Sequence, residues 1–260
     1  MSYEYILVEN QDHITTITLN RPDSLNSINF EMNAELYDAW STFRDDNDQW
    51  VAILTGAGDR SFSAGADLKA VAARDPNAIR KMPPVGFGAI TKRMNIYKPM
   101  IAAINGYALG GGLEMAMACD IRIASEKASF GQPEVRWAML ANAGGMSRLP
   151  RLVPRAIAMR MLLTGERINA EEGYRVGLIN EVVPLDQLMP RALEIAKTIA
   201  TNGPLAVRYC KQVVLRGLSM SLEDSLELED DLSRLNAATE DNKEGPKAFA
   251  EKRTPDFKAQ

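Results

Sequence analysis

The 260-residue sequence holds a single histidine and two cysteines, and those scarcities remove several chemistries at once. His13 sits in a turn between two strand patterns, at 5–9 and 14–19. A Ser-His-Asp or Cys-His centre has little to stand on there, and a multi-histidine metal site cannot form. Cys119 and Cys210 are too few and too far apart for a disulfide framework or a thiolate zinc site, and read as reduced, buried thiols. No apolar run approaches the roughly 18–20 residues that span a bilayer. Thirty Lys and Arg against 34 Asp and Glu give a net charge of −4, so no global positive field awaits RNA or DNA. The opening residues, Met1-Ser2-Tyr3-Glu4-Tyr5, lack a basic region or an Arg/Ser-rich amphipathic character. The expectation is a cytoplasmic protein without a cleaved address.

What is present is an α/β pattern in a chain long enough for one large domain, or one with a small extension. Asn29 can cap a helix running to about residue 44, with Met32, Leu36, Ala39, Trp40 and Phe43 on one face. The apolar runs 51–54, 100–104 and 121–124 read as buried strands between helices. From residue 170 the pattern turns helical, over 170–176, 185–200, 204–216 and 222–238, punctuated by Pro184, Gly203 and Gly217. No sequence repeat is visible. Residues 69–99, with Asp75-Pro76, Pro83-Pro84 and Gly86-Phe87-Gly88, read as a mobile segment of the kind that covers active sites.

The chemistry concentrates between residues 105 and 134. Gly110-Gly111-Gly112 follows an apolar strand, Glu114 stands two residues on, and Phe130-Gly131-Gln132-Pro133-Glu134 brings a second carboxylate. Successive glycines let backbone N–H groups approach a ligand, and the helix they open adds unpaired donors and the positive end of its dipole. Such a turn suits an oxyanion, and two glutamates beside it suit proton transfer. Gly56-Ala57-Gly58-Asp59-Arg60-Ser61 resembles part of a dinucleotide fingerprint, but serine replaces its third glycine. Nicotinamide oxidoreduction is therefore a remote alternative.

Further motifs run along the chain: Asn20-Arg21-Pro22 with Leu25-Asn26-Ser27, Phe62-Ser63-Ala64-Gly65-Ala66-Asp67-Leu68, Lys98-Pro99, Cys119-Asp120, Gly144-Gly145, Arg148-Leu149-Pro150, Leu163-Thr164-Gly165, Gly177-Leu178-Ile179-Asn180 and Phe249-Ala250-Glu251-Lys252-Arg253. Together they resemble the crotonase family, in particular its enoyl-CoA hydratases, over nearly the whole chain. The resemblance implies a ββα-spiral, CoA-ester-binding catalytic core over 1–200 and a C-terminal helical trimerisation region over 201–260, assembled as a homotrimer or dimer of trimers. It also implies an acyl-CoA thioester substrate, with CoA as part of the substrate and no separate cofactor.

The same resemblance implies roles for individual residues. The backbones of Ala66 and Gly111 would form the oxyanion hole, and Glu114 and Glu134 would handle water and the Cα proton. Leu25, Ala64 and Leu68 would contact CoA, with Lys252 and Arg253 near its phosphates, and Trp137 and Asn142 would also bind substrate. Fold alone does not choose the reaction, so an isomerase or hydrolase acting on an unusual acyl group is the alternative. Some relatives bind RNA, and Lys92, Arg93 and Lys98 occupy a comparable region. The family's Pro-Gly pair after the second glutamate is missing from Ala141-Asn142-Ala143-Gly144-Gly145-Met146-Ser147-Arg148-Leu149. Asn142 in place of that glycine reads either as an acyl-side hydrogen-bonding group or as the cap of a helix starting near Ala143.

Overall fold

Two residues with positive φ, Asp12 (50°) and His13 (66°), turn strand β1 (Ile6–Gln11) back on β2 (Ile14–Leu19). Gln11 pairs with Ile14, so the turn is a tight two-residue one of the kind that matches strand twist. β1 therefore outruns the expected 5–9. This computed structural model describes residues 3–73, 85–92 and 95–260.

Helix α1 (Phe30–Asp45) starts where the Asn29 side chain accepts from the Met32 N–H at 2.9 Å, and its expected apolar face is buried. Three ββα units follow. The first is β3 (Val51–Gly56), β4 (Ser61–Ser63) and α2 (Leu68–Ala72). The second is β5 (Met100–Ile104), β6 (Tyr107–Leu109) and α3 (Gly111–Ala118). The third is β7 (Ile121–Ser125) and β8 (Ser129–Gly131), leading through a 3-10 turn, Pro133–Trp137, to α4 (Gly145–Leu152). Then come α5 (Arg155–Thr164), β9 (Arg167–Asn169), α6 (Ala170–Arg175) and β10 (Glu181–Val183). The C-terminal helices are α7 (Leu188–Ala200), α8 (Pro204–Gly217), α9 (Leu222–Ala237) and α10 (Glu240–Glu251).

Each unit contributes one strand to each of two sheets. The six-stranded sheet runs β1-β2-β3-β5-β7-β10 and the four-stranded sheet β4-β6-β8-β9, with β3, β5 and β7 parallel in the first and β4, β6 and β8 parallel in the second. The central strands of the larger sheet are covered on both faces, as continuous apolar runs require. Val51, Ile53, Ile101 and Ile123 pack with Leu188, Ala192 and Ala196 of α7; Ala52, Leu54, Ala102 and Ile104 join Trp40, Phe43, Phe62 and Phe130 in the main core. Because the pitch of the spiral equals one strand spacing, the chain leaves β4, β6 and β8 at three neighbouring points. Those three exits build the site.

The described part of the 69–99 segment includes a packed turn, Phe87–Ala89, in which Gly88 is buried. Asp75-Pro76, Pro83-Pro84 and Arg93 lie outside the described residues. Lys98 is not an RNA-facing cation. It is 4% exposed, with Nζ 2.6 Å from the Phe43 carbonyl and 2.5 Å from that of Asp46, where it satisfies acceptors at the end of α1. Burial, aided by nearby Arg208, pushes it down to about 8. Cys119 is buried, as expected, whereas Cys210 is exposed on the rim of α8. Among the described residues no helix is long and apolar enough to cross a membrane.

Candidate active site

The first exit, 64–67, is backbone-built. Ala64 N–H donates to the Leu25 carbonyl at 2.9 Å, and Leu25 itself turns with φ 53°. Buried Asn26 holds that turn: its Oδ1 accepts from Arg21 N–H and its Nδ2 donates to the carbonyls of Ala57 and Ser61. Ile28 bonds to the Gly65 carbonyl and the Asp67 N–H, which points the intervening Ala66 N–H away from Ile28. Asp67 then caps α2 at Ala70 and pairs with Arg21 at 3.1 Å. Burial raises its pKa, but those bonds hold the carboxyl below its ordinary value. Leu68, the first residue of α2, is exposed.

The second exit is the glycine turn. Gly110 has φ 54° and ψ −127°, a conformation open to glycine alone, and Gly111 is the first residue of α3, so its N–H has no partner within the helix. The two exits touch: a Cβ built on Gly65 would lie 2.8 Å from the Leu109 carbonyl and 2.9 Å from the Gly111 nitrogen. Two N–H groups without a partner among the described residues, of Ala66 and Gly111, thus belong to backbones in direct contact. The ring of Phe87 closes the turn, for a Cβ on Gly111 would sit 2.7 Å from its Cζ. Sequence reading assigned Phe87 to a mobile segment and missed this contact.

Both carboxyls lie at the same turn. Glu114, 3% exposed, presents Oε1 to the N–H groups of Ala143 and Gly145, each at 2.8 Å. Among the described residues nothing bonds Oε2. Burial, assisted by Glu134, pushes Glu114 up to about 7, restrained by the two N–H groups and Arg148. Glu134, from the third exit, is half-buried and displaced upward by desolvation. A Cβ on Gly110 would lie 2.9 Å from Glu134 Oε1, so this glycine also makes room for the carboxyl. Gln132, 1% exposed and without an assigned role in the sequence, donates to Glu134 when its amide is turned to place Nε2 3.1 Å from both oxygens.

Other expected contacts divide. Trp137 ends the Pro133–Trp137 turn with 67% of its surface exposed. Asn142 is exposed and does not cap a helix: α4 begins two residues later than expected, behind Gly144 with φ 114° and no side-chain cap. Lys252 is exposed at the end of α10, while Arg253 is engaged by Glu244 and Glu251 and is not a free phosphate ligand. The glycine run after β3 is not a dinucleotide turn, because a strand rather than a helix follows it and the Asn26 and Asn105 amides occupy its carbonyls.

Known proteins share this architecture throughout. The family described as Enoyl-CoA hydratase/isomerase matches residues 9–260. The (E)-benzylidenesuccinyl-CoA hydratase of Thauera aromatica is 44% identical over 97% of this chain and 98% of its own. The crotonyl-CoA hydratase of Syntrophomonas wolfei is 40% identical over 99% of each. A crystal structure of enoyl-CoA hydratase from Bacillus anthracis superposes with a TM-score of 0.92 at 40% identity, covering 99% of this chain and 100% of that one. With its ββα spiral, its paired backbone donors and its two glutamates, this chain belongs to the enoyl-CoA hydratase/isomerase family.

Proposed function

We propose that the protein adds water reversibly across the α,β double bond of an enoyl-CoA thioester. The observation that carries this reading is the pair of carboxyls, Glu114 and Glu134, at a single glycine turn whose backbone abuts the Gly65-Ala66 loop. Hydration places negative charge on the thioester oxygen. Donors fixed beforehand at Ala66 and Gly111 stabilise it without reorganising. Glu114 takes the proton of the attacking water through Oε2 as the oxygen bonds to Cβ, and Glu134 delivers a proton to Cα. The two charges offset, and proton exchange with solvent resets the pair. Two nearby carboxyls titrate together, and the double amide contact supports giving the ionised state to Glu114.

CoA arrives with the substrate, and the reaction draws on no further cofactor. Leu25, Ala64 and Leu68 line the side of the first exit proposed for the CoA portion, and Lys252 is the cation proposed for its phosphates. At the other end, exposed Trp137 and Asn142 are proposed acyl contacts, where an amide favours a polar or cyclic substituent over a plain alkyl chain. The test is a turnover screen across enoyl-CoA and 3-hydroxyacyl-CoA thioesters, followed by loss or gain of the conjugated thioester absorbance, with free CoA as competitor. No turnover across the series and no CoA binding by calorimetry would refute the reading. Run in parallel, Asn142→Gly should shift preference from polar towards plain chains; a uniform loss with unchanged preference would remove Asn142 from the acyl end.

Exposed Leu218, Leu222, Leu226, Leu235 and Phe249 on the C-terminal helices support the further proposal of a homotrimer or dimer of trimers, since so much apolar surface is rare on a free chain. Leu232, on the same helix as Leu222, Leu226 and Leu235, faces inward at 5% exposure. Sedimentation should show at least a trimer, and a stable monomer at working concentration would contradict it.

A further inference from the structure

Arg148 stands out among the cations near the site. Its guanidinium is half-buried, yet among the described residues it makes neither an ion pair nor a side-chain hydrogen bond, unlike Arg122, whose Nε and Nη1 donate to the carbonyls of Leu178 and Cys119. Its seat is defined by the backbone. Arg148 N–H makes the helical bond to the Gly144 carbonyl at 2.7 Å, and its side chain lies back over the start of α4, where a Cβ on Gly144 would overlap Nη1. Gly144, with φ 114°, leaves that place open, and it is the residue between the two amides, of Ala143 and Gly145, that hold Glu114. The loop that grips the carboxylate and the loop that seats the guanidinium are the same three residues.

The charges around them are few. Glu114 faces Glu134 from the Pro133–Trp137 turn and Arg148 from α4; Arg148 in turn faces Glu114 and Cys119. Cys119, fully enclosed, stays neutral because burial pushes its thiol up to about 12. Two acids therefore confront one cation.

We propose that Arg148 is a positioning residue for the hydration reaction, its charge behind the 143–145 loop holding the Glu114 carboxylate in its amide cradle against repulsion from Glu134. This rests on the reading of Glu114 as the group that takes the proton of water. An arginine suits the place because its charge persists at every relevant pH and its weak hydration tolerates partial burial without a partner.

The test is the pH profile of kcat/KM. In the wild type the acid limb reports Glu114 gaining its proton. Removing a nearby cation makes the carboxylate harder to ionise, so Arg148→Met should move that limb upward by about 0.5–1 pH unit, less than for a directly bonded pair. Activity on the limb then falls about 3- to 10-fold, with less change on the plateau. Arg148→Lys should restore the wild-type limb. Arg148→Gln is neutral but polar, and should shift the limb as Met does if the Met variant does not fold. A folded neutral variant with an unmoved limb, or a Lys variant that shifts as far as Met, would overturn the proposal. Persistence of the wild-type limb in Glu114→Gln would instead refute the reading beneath it.

Discussion

Glu114→Gln should lower turnover by about 10²–10⁴-fold, leave CoA-ester binding almost unchanged, and raise thermal stability at alkaline pH. The loss follows because the amide cannot take a proton from water, although it still accepts a bond from the Ala143 or Gly145 N–H. The gain in stability follows from the sign of the pKa displacement. Burial first, then Glu134, holds Glu114 at about 7 in the folded chain against an ordinary value of 4.5. The folded state therefore binds a proton more readily than the unfolded one, and stability is lost as pH rises from about 4.5 through 7. Glutamine does not titrate, so the variant escapes a penalty of roughly 1–3 kcal/mol at pH 8 and none at pH 4. Melting curves at the two pH values check the direction. Glu134→Gln should lower turnover comparably, and the double variant should lose less than the product of the single losses, since both groups serve one step. Retention of hydration by the double variant would exclude the mechanism.

Gly111→Ala should cost about 10²–10³-fold in turnover through displacement of one oxyanion donor. The obstacle is spatial rather than conformational, because Gly111 is not among the residues with positive φ. An added methyl would meet the edge of the Phe87 ring, at 2.7 Å from Cζ and 2.8 Å from Cδ1. The start of α3 must then shift, carrying the Gly111 N–H with it. Truncating the obstacle should reverse the effect, so Phe87→Ala combined with Gly111→Ala should recover activity towards that of Phe87→Ala alone. The expected signature is a loss in kcat with little change in KM, as for a group that acts mainly in the transition state. A folded Gly111→Ala enzyme with normal turnover, or a double variant no better than the single, would show that this N–H does not hold the oxyanion.

By itself the sequence determined the long elements and the identity of the acids. α1, α7 and the central strands could be read because each presents a face or run to the core, and α8 and α9 because their apolar spacing is helical although little of it is buried in the chain. The glycine triplet announced a close backbone approach, and the motifs carried Glu114 and Glu134 into the site. The second sheet was not legible. β4, β6 and β8 are three residues each, two of them bounded by serine or glycine, and such strands are stabilised by their neighbours in the sheet, not by a local pattern. The repeat of the ββα unit escaped for the same reason: it conserves spacing in space while its residues differ. Only the tertiary structure decided what lies behind each acid. Phe87 against Gly111 joins distant segments of the chain, while Gln132 behind Glu134 and Arg148 over Gly144 are set by irregular turns that no periodic pattern announces. Such contacts depend on where the spiral returns the chain, and the electrostatics that set the two carboxyls apart arise from that return.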